Sequence, residues 1–312
     1  MANITASMVK ELREMTGAGM MDCKKALGET DGDMEAAVEF LRKKGLAGAE
    51  KKAGRIAAEG IVDTYLEGDN KAVVVEVNAE TDFVAKNEKF RTFVAEVAAQ
   101  AVDTEAGNID AFLAEPWKLD TSMTVSEKLS SMISIIGENM HIRRFEQMKE
   151  DNGFIVSYIH AGGKIGVLVD VESDVVNDGV KEMGKNLAMQ IAALSPKFTG
   201  RSEVDAEYIE KEKEILKAQI MNDPKESQKP EKVIDGIIQG RVNKELKEIV
   251  LLDQTYVKAE DGKQSVEKYV AEVAKANNAN INIKKFIRFE TGEGLEKKNE
   301  DFAAEVAAQM NK

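Results

Sequence analysis

The 312-residue sequence contains one cysteine, two histidines, one tryptophan and four prolines. A lone Cys23 excludes an intrachain disulfide and any multi-cysteine metal centre, and it has no obvious base partner that would make it a nucleophile. His141 and His160 stand far apart, and neither belongs to a ligand spacing such as H-E-x-x-H. Neither a G-x-x-x-x-G-K-[ST] nor a G-x-G-x-x-G phosphate loop occurs. No clustered carboxylate pair is placed to act as a hydrolase. The expectation is therefore a protein that is not an enzyme and holds no cofactor or metal. Apolar runs are short, well below the roughly 20 residues that span a bilayer. Met1-Ala-Asn-Ile-Thr-Ala-Ser7 leads into a helical pattern without a signal-peptide apolar block, so a cytoplasmic protein is expected. Positive charge is also in deficit: 43 Lys and Arg against 56 Asp and Glu give a net charge of −13. That argues against direct nucleic-acid binding over a broad surface, which needs a concentrated basic footprint.

What the chain does have is helical and strand periodicity sufficient for two or three folding units. Residues 1–55 read as a three-helix module and linker. Thr5 can cap a helix with Met8, Leu12 and Met15 on one face, Gly17-Ala-Gly19 stops it, and Met34, Val38 and Leu41 line a third helix. Gly45 is expected to end that helix, with the first strand near Ile61.

From there the sequence repeats. Val77 to Val84 lies over Val169 to Val176 at an offset of 92, Phe93 to Ala99 over Leu187 to Ala193 at 94, and Asn139 to Phe145 over Asn280 to Phe286 at 141. Each copy reads strand, strand, helix, helix, strand, and Thr124 with Glu127 forms a capping box before the last strand of the first copy. The growing offset places about 47 extra residues in the second copy. There Ile209, Leu216 and Ile220, then Ile234, Ile238, Val242, Leu246 and Ile249, form two apolar stripes separated by Asn222 to Pro230. The predicted class is α+β: the N-terminal three-helix module; a duplicated β-β-α-α-β core with antiparallel sheets, residues 56–148 for the first copy and 149–199 with 251–290 for the second; an inserted helical hairpin, a coiled coil, at 200–250; and a C-terminal helical module at 291–312, broken from the core by Thr291-Gly-Glu-Gly294.

The stretch richest in information is Val73 to Phe90, where an apolar strand gives way to Thr81-Asp82-Phe83-Val84 and a charged helix start. A phenylalanine at a strand-to-helix junction belongs by type to the core, and a projecting ring is the alternative. On the offset of 92, Asp82 matches Asp174 and Phe83 matches Val175, so the first copy alone carries the larger side chain. Ala161-Gly-Gly-Lys164, between Phe154–Ile159 and Ile165–Val169, is expected to be a hairpin turn rather than a phosphate loop.

Ile4 to Arg13, Thr16 to Leu27, Asn78 to Lys86 with its Thr-Asp-Phe-Val, Ile136 to Arg144, and Phe289 to Glu296 with Asp301 to Ala307, taken in order, closely resemble the bacterial elongation factor Ts family. The resemblance covers nearly the whole chain. It implies a guanine-nucleotide exchange factor for elongation factor Tu, the GTPase that delivers aminoacyl-tRNA to the ribosome. It assigns Thr81, Asp82, Phe83 and Val84 to the loop that disturbs the GTPase's magnesium site. Lys10, Arg13, Met20, Met21 and His160 become docking contacts, with a homodimer or a heterotetramer with the GTPase as candidate assemblies. The competing expectation is a coiled-coil scaffold that recruits partners through its hairpin and has no exchange activity.

Overall fold

The structure, a computed structural model, describes residues 4–296. The expected C-terminal helix from Asp301 to Met310 lies outside the described residues.

Three helices open the chain: α1 (Ala6–Thr16), α2 (Met20–Glu29) and α3 (Met34–Glu50). Thr5 caps α1 by accepting from Met8 N, and Gly17 ends it in the left-handed conformation. The module closes on Val9, Leu12, Cys23, Ala26, Leu27 and Ala37, with Met8, Met34, Val38 and Leu41 packed around them. Met15 departs from the expected apolar face, because the helix ends there and its side chain stays exposed. Gly45 does not end α3. It lies buried inside the helix against Ser130 and Ser131, and this packing outweighs the roughly 1 kcal/mol by which glycine weakens a helix.

The first core copy comprises β1 (Glu59–Glu67), β2 (Lys71–Ala79), the single turn α4 (Asp82–Ala85), α5 (Glu88–Ala101), α6 (Ile109–Ala114), a ribbon of β3 (Pro116–Trp117) and β4 (Asp120–Thr124), α7 (Val125–Ile136) and β5 (Met140–Lys149). The second has β6 (Gly153–His160), β7 (Ile165–Ser173), α8 (Asp178–Leu194), the hairpin α9 (Ala206–Asn222) and α10 (Glu231–Ile249), then α11 (Val266–Asn277) and β8 (Ile281–Glu290). The sheets run β1-β2-β5 and β6-β7-β8, all antiparallel. The fold is thus α+β, with α4, α6 and the ribbon absent from the simpler pattern expected from sequence. The capping box forms as expected: Thr124 Oγ1 accepts from Glu127 N and Glu127 Oε2 accepts from Thr124 N.

The central strands explain why the sequence there is continuously apolar. Val73, Val75, Val77 and Ala79 of β2 face α5 and α7, while Ala72 and Val74 face the other sheet, where they meet Met148, Ile155, Leu168, Ile287 and Phe289. Both faces of each sheet are covered, so alternation disappears. Gly60 and Gly153 occupy matching places at the strand starts, where an added Cβ would strike the neighbouring strand's backbone at 2.2 and 2.0 Å. In the hairpin, Ile220, Ile234, Ile238, Val242 and Leu246 form a separate apolar seam.

The two copies register differently from the sequence alignment. Both carry a bulge on the last strand, opposite the step from Glu76 to Val77 in one copy and from Asp170 to Val171 in the other, so Val171 lies 94 positions after its counterpart Val77. The helix caps Asn87 and Asn177 stand 90 apart. At that offset the buried residues of α5 and α8 coincide, including Gln100 and Gln190. Strand and helix were therefore misaligned by two and by four residues, shifts that keep the same face turned to the core. The offset then rises from 90 to 141, so the second copy's insertion is 51 residues rather than 47.

Candidate functional site

Between β2 and the following helix the first copy is longer by four residues, the difference between offsets 94 and 90, and these four are α4 itself. Hydrogen bonding confirms the alignment. Glu80 Oε1 accepts from Asn139 N at 2.6 Å, and Asp174 Oδ1 accepts from Asn280 N at 2.8 Å. Asp174 therefore corresponds to Glu80, not to Asp82, and Phe83 has no counterpart at all.

A four-residue helix has no independent stability, so its shape must come from its surroundings. Val84 and Ala85 are buried and anchor the turn in the core beneath α5. Thr81 caps it, its hydroxyl accepting from Val84 N at 3.4 Å while donating to Glu138 Oε1 at 2.8 Å. Thr81 N donates to Glu138 Oε2 at 3.0 Å. With these residues turned inward, Phe83 points outward and is 79% exposed, contrary to the burial expected from its residue type. The Asp82 carboxylate accepts from Lys86 Nζ at 2.7 Å. This bond, with the positive charges of Lys86 and Lys164, holds the Asp82 carboxyl below the ordinary range. The Lys86 ammonium also lies 5.9 Å from the Phe83 ring centroid.

The four residues Thr81 to Val84 therefore do not act alike. Asp82 and Phe83 present a carboxylate and a ring to solvent. Val84, expected at a partner surface, is instead the buried anchor, and Thr81 is the cap that shapes the turn.

His160 lies at the end of β6, exposed, its Nδ1 3.0 Å from Tyr158 Oη. Residues 161–164 form the expected hairpin turn, with Ala161, Gly162 and Gly163 all at positive φ. Arg91 of α5 donates to Gly162 O, and the Lys164 charge reaches Asp82, so this turn and α4 share one end of the molecule. The corner between α1 and α2 flanks the same end, since Met15, Thr16 and Gly17 share a groove with Glu88, Lys89 and Thr92 of α5. Met20 and Met21 begin α2 just beyond that corner, 59% and 73% exposed. Lys10 and Arg13 lie on the solvent face of α1, with Lys10 Nζ 3.7 Å from Glu14. Among the described residues, neither is hydrogen-bonded or ion-paired to α4. Nothing local in the sequence marks Arg91 or Glu138, because the contacts they make are long-range.

A larger cleft of about 480 Å³ separates the helical module from α7 and the ribbon, but neither Phe83 nor His160 lines it. Burial pushes the Cys23 thiol above its ordinary pKa, which makes it a packing residue. Among the described residues no group of three His, Cys, Asp or Glu could hold a metal ion, and no helix is long and apolar enough to cross a membrane. The arrangement is an exposed aromatic and acid on a braced turn, flanked by two further corners. It offers a contact surface.

The family model described as Elongation factor TS matches residues 80–293. The chain is 52% identical to elongation factor Ts of Clostridium novyi over 309 residues, 99% of each chain. The chain belongs to the elongation factor Ts family. It is also 51% identical to the elongation factor Ts proteins of Clostridium tetani and Clostridioides difficile, over 98–99% of its length and 99–100% of theirs. Membership of the elongation factor Ts family places it among the translation elongation factors of protein biosynthesis.

Proposed function

We propose that this protein is a guanine-nucleotide exchange factor for elongation factor Tu, acting in the cytoplasm without covalent chemistry of its own. The observation that carries this reading is the exposed Phe83 on a turn whose neighbouring side chains are locked. A rigid, outward ring beside an ionised Asp82 is suited to entering the GTPase next to its nucleotide-bound Mg²⁺. That ion demands near-ideal octahedral geometry and bridges protein to phosphate, so a small displacement of its supporting groups loses much of the nucleotide's hold.

Accelerating GDP release by on the order of 10⁴ requires about 5 kcal/mol off the barrier, more than one exposed ring supplies. Docking contacts must provide the remainder by favouring the nucleotide-free GTPase. Met20 and Met21 offer flexible apolar surface for this, Lys10 and Arg13 offer charge, and His160 flanks the same end as Phe83. Coupling is reciprocal: bound GDP or GTP weakens the complex by the factor by which the complex weakens the nucleotide. The α9–α10 hairpin, read as a coiled-coil arm, stands outside this contact set, and so does any pairing of two copies.

The test is to mix the protein with elongation factor Tu carrying fluorescent GDP and follow its loss. Release should accelerate with protein concentration and saturate, whereas release independent of concentration would refute exchange.

A further inference from the structure

The duplicated core contains its own control for what the projecting turn requires. In both copies the acid after the second strand accepts from the backbone N–H that opens the last strand: Glu80 from Asn139, Asp174 from Asn280. Only the first copy has the reverse half of this brace, in which Glu138 accepts from both the N–H and the hydroxyl of Thr81. At the corresponding places the second copy has Ala279 and Val175, which can form no such side-chain bond. The second copy also lacks the four residues of α4. The brace and the projecting ring thus occur together and are absent together.

We infer that Glu138 is the positioning residue of the exchange turn, resting on the exchange reading above: by gripping Thr81 it fixes the direction in which Phe83 enters the partner. The physical reason is local. Thr81 has one hydroxyl proton, which it donates in a hydrogen bond to Glu138, and this leaves a lone pair to accept from Val84 N. The second carboxylate oxygen fixes the Thr81 backbone in the extended conformation that an N-cap needs. Without Glu138, α4 keeps its buried Val84 but loses the clamp at its start, so the ring samples several directions and fewer of them fit.

The test measures fluorescent-GDP release from elongation factor Tu at saturating protein for Glu138→Ala, Thr81→Val, Phe83→Ala and the double variant Phe83→Ala/Glu138→Ala, with binding to the nucleotide-free GTPase and thermal unfolding followed in parallel. Glu138→Ala removes both charge-assisted hydrogen bonds to Thr81 and should slow maximal release about tenfold, with affinity little changed and the unfolding temperature lowered by a few degrees. Thr81→Val should slow it less, and the double variant should release no more slowly than Phe83→Ala alone. Normal release by Glu138→Ala while Phe83→Ala is slow would overturn the positioning role alone. So would a double variant slower than Phe83→Ala, because Glu138 would then act elsewhere. Normal release by Phe83→Ala would overturn the exchange reading of this turn and this inference with it.

Discussion

Phe83 and Val84 are adjacent on one helical turn yet 79% and 7% exposed, the ring in solvent and the isopropyl group in the core. Truncating each should therefore separate stability from function. Val84→Ala removes two buried methyl groups and leaves a cavity beneath α5, a loss of about 2 kcal/mol. Phe83→Ala should change stability by less than about 0.5 kcal/mol. Urea unfolding midpoints measure both, and comparable losses would contradict the geometry.

Met20 and Met21 are exposed at the start of α2, and the module core does not include them. Replacing both with alanine should leave the unfolding temperature within a degree or two, on the order expected for surface positions, while weakening binding to nucleotide-free elongation factor Tu about tenfold. Calorimetry reads the affinity, and an unchanged value would remove α2 from the interface.

A pH dependence is built into the seam between the sheets. Asp170 of β7 and Glu150, just past β5, are both buried, and one Asp170 oxygen has no N–H partner. Burial first, then the hydrogen bond and charge of Glu150, push the Asp170 carboxyl well above the ordinary range, with Lys284 and Lys285 opposing. Burial works against ionised Glu150 too, but hydrogen bonds with Asp170, Lys284 and the Asn152 N–H outweigh it and lower its pKa. The raised Asp170 contributes stability that is full below the ordinary carboxylate range and is lost as pH rises through its folded value. The lowered Glu150 contributes stability present above that range and lost in strong acid. The urea midpoint should therefore fall between about pH 5 and about pH 8, and Asp170→Asn should flatten that fall. An unchanged slope in the variant would place the titration elsewhere.

The hairpin α9–α10 closes on its own apolar seam and returns the chain to its starting point, where Phe198 N and Lys197 N donate to Ile249 O. Replacing residues 203–247 with a short Gly/Ser linker should yield a folded protein that still accelerates GDP release. Lost exchange in a folded variant would instead place the hairpin within the exchange contact set.

Element types and the duplication were legible in the sequence because both rest on periodicity. Register was not. A strand looks the same to its core after a shift of two and a helix after a shift of four, and the errors made at Val77 and Phe93 were of those sizes. That is why Asp82 was paired with Asp174 and why the four-residue insertion stayed hidden. Phe83 could be singled out but not oriented, since the turn that carries it is capped by Thr81, whose partner Glu138 lies 57 positions further along the chain. Gly45 was misjudged for the same reason, its neighbours in α7 being distant in sequence.

The most direct test of the central claim is stopped-flow release of fluorescent GDP from elongation factor Tu by the Phe83→Ala protein. Release should be at least about tenfold slower at saturation, with affinity for the nucleotide-free GTPase largely kept. Release as fast as that of the unaltered protein would contradict it.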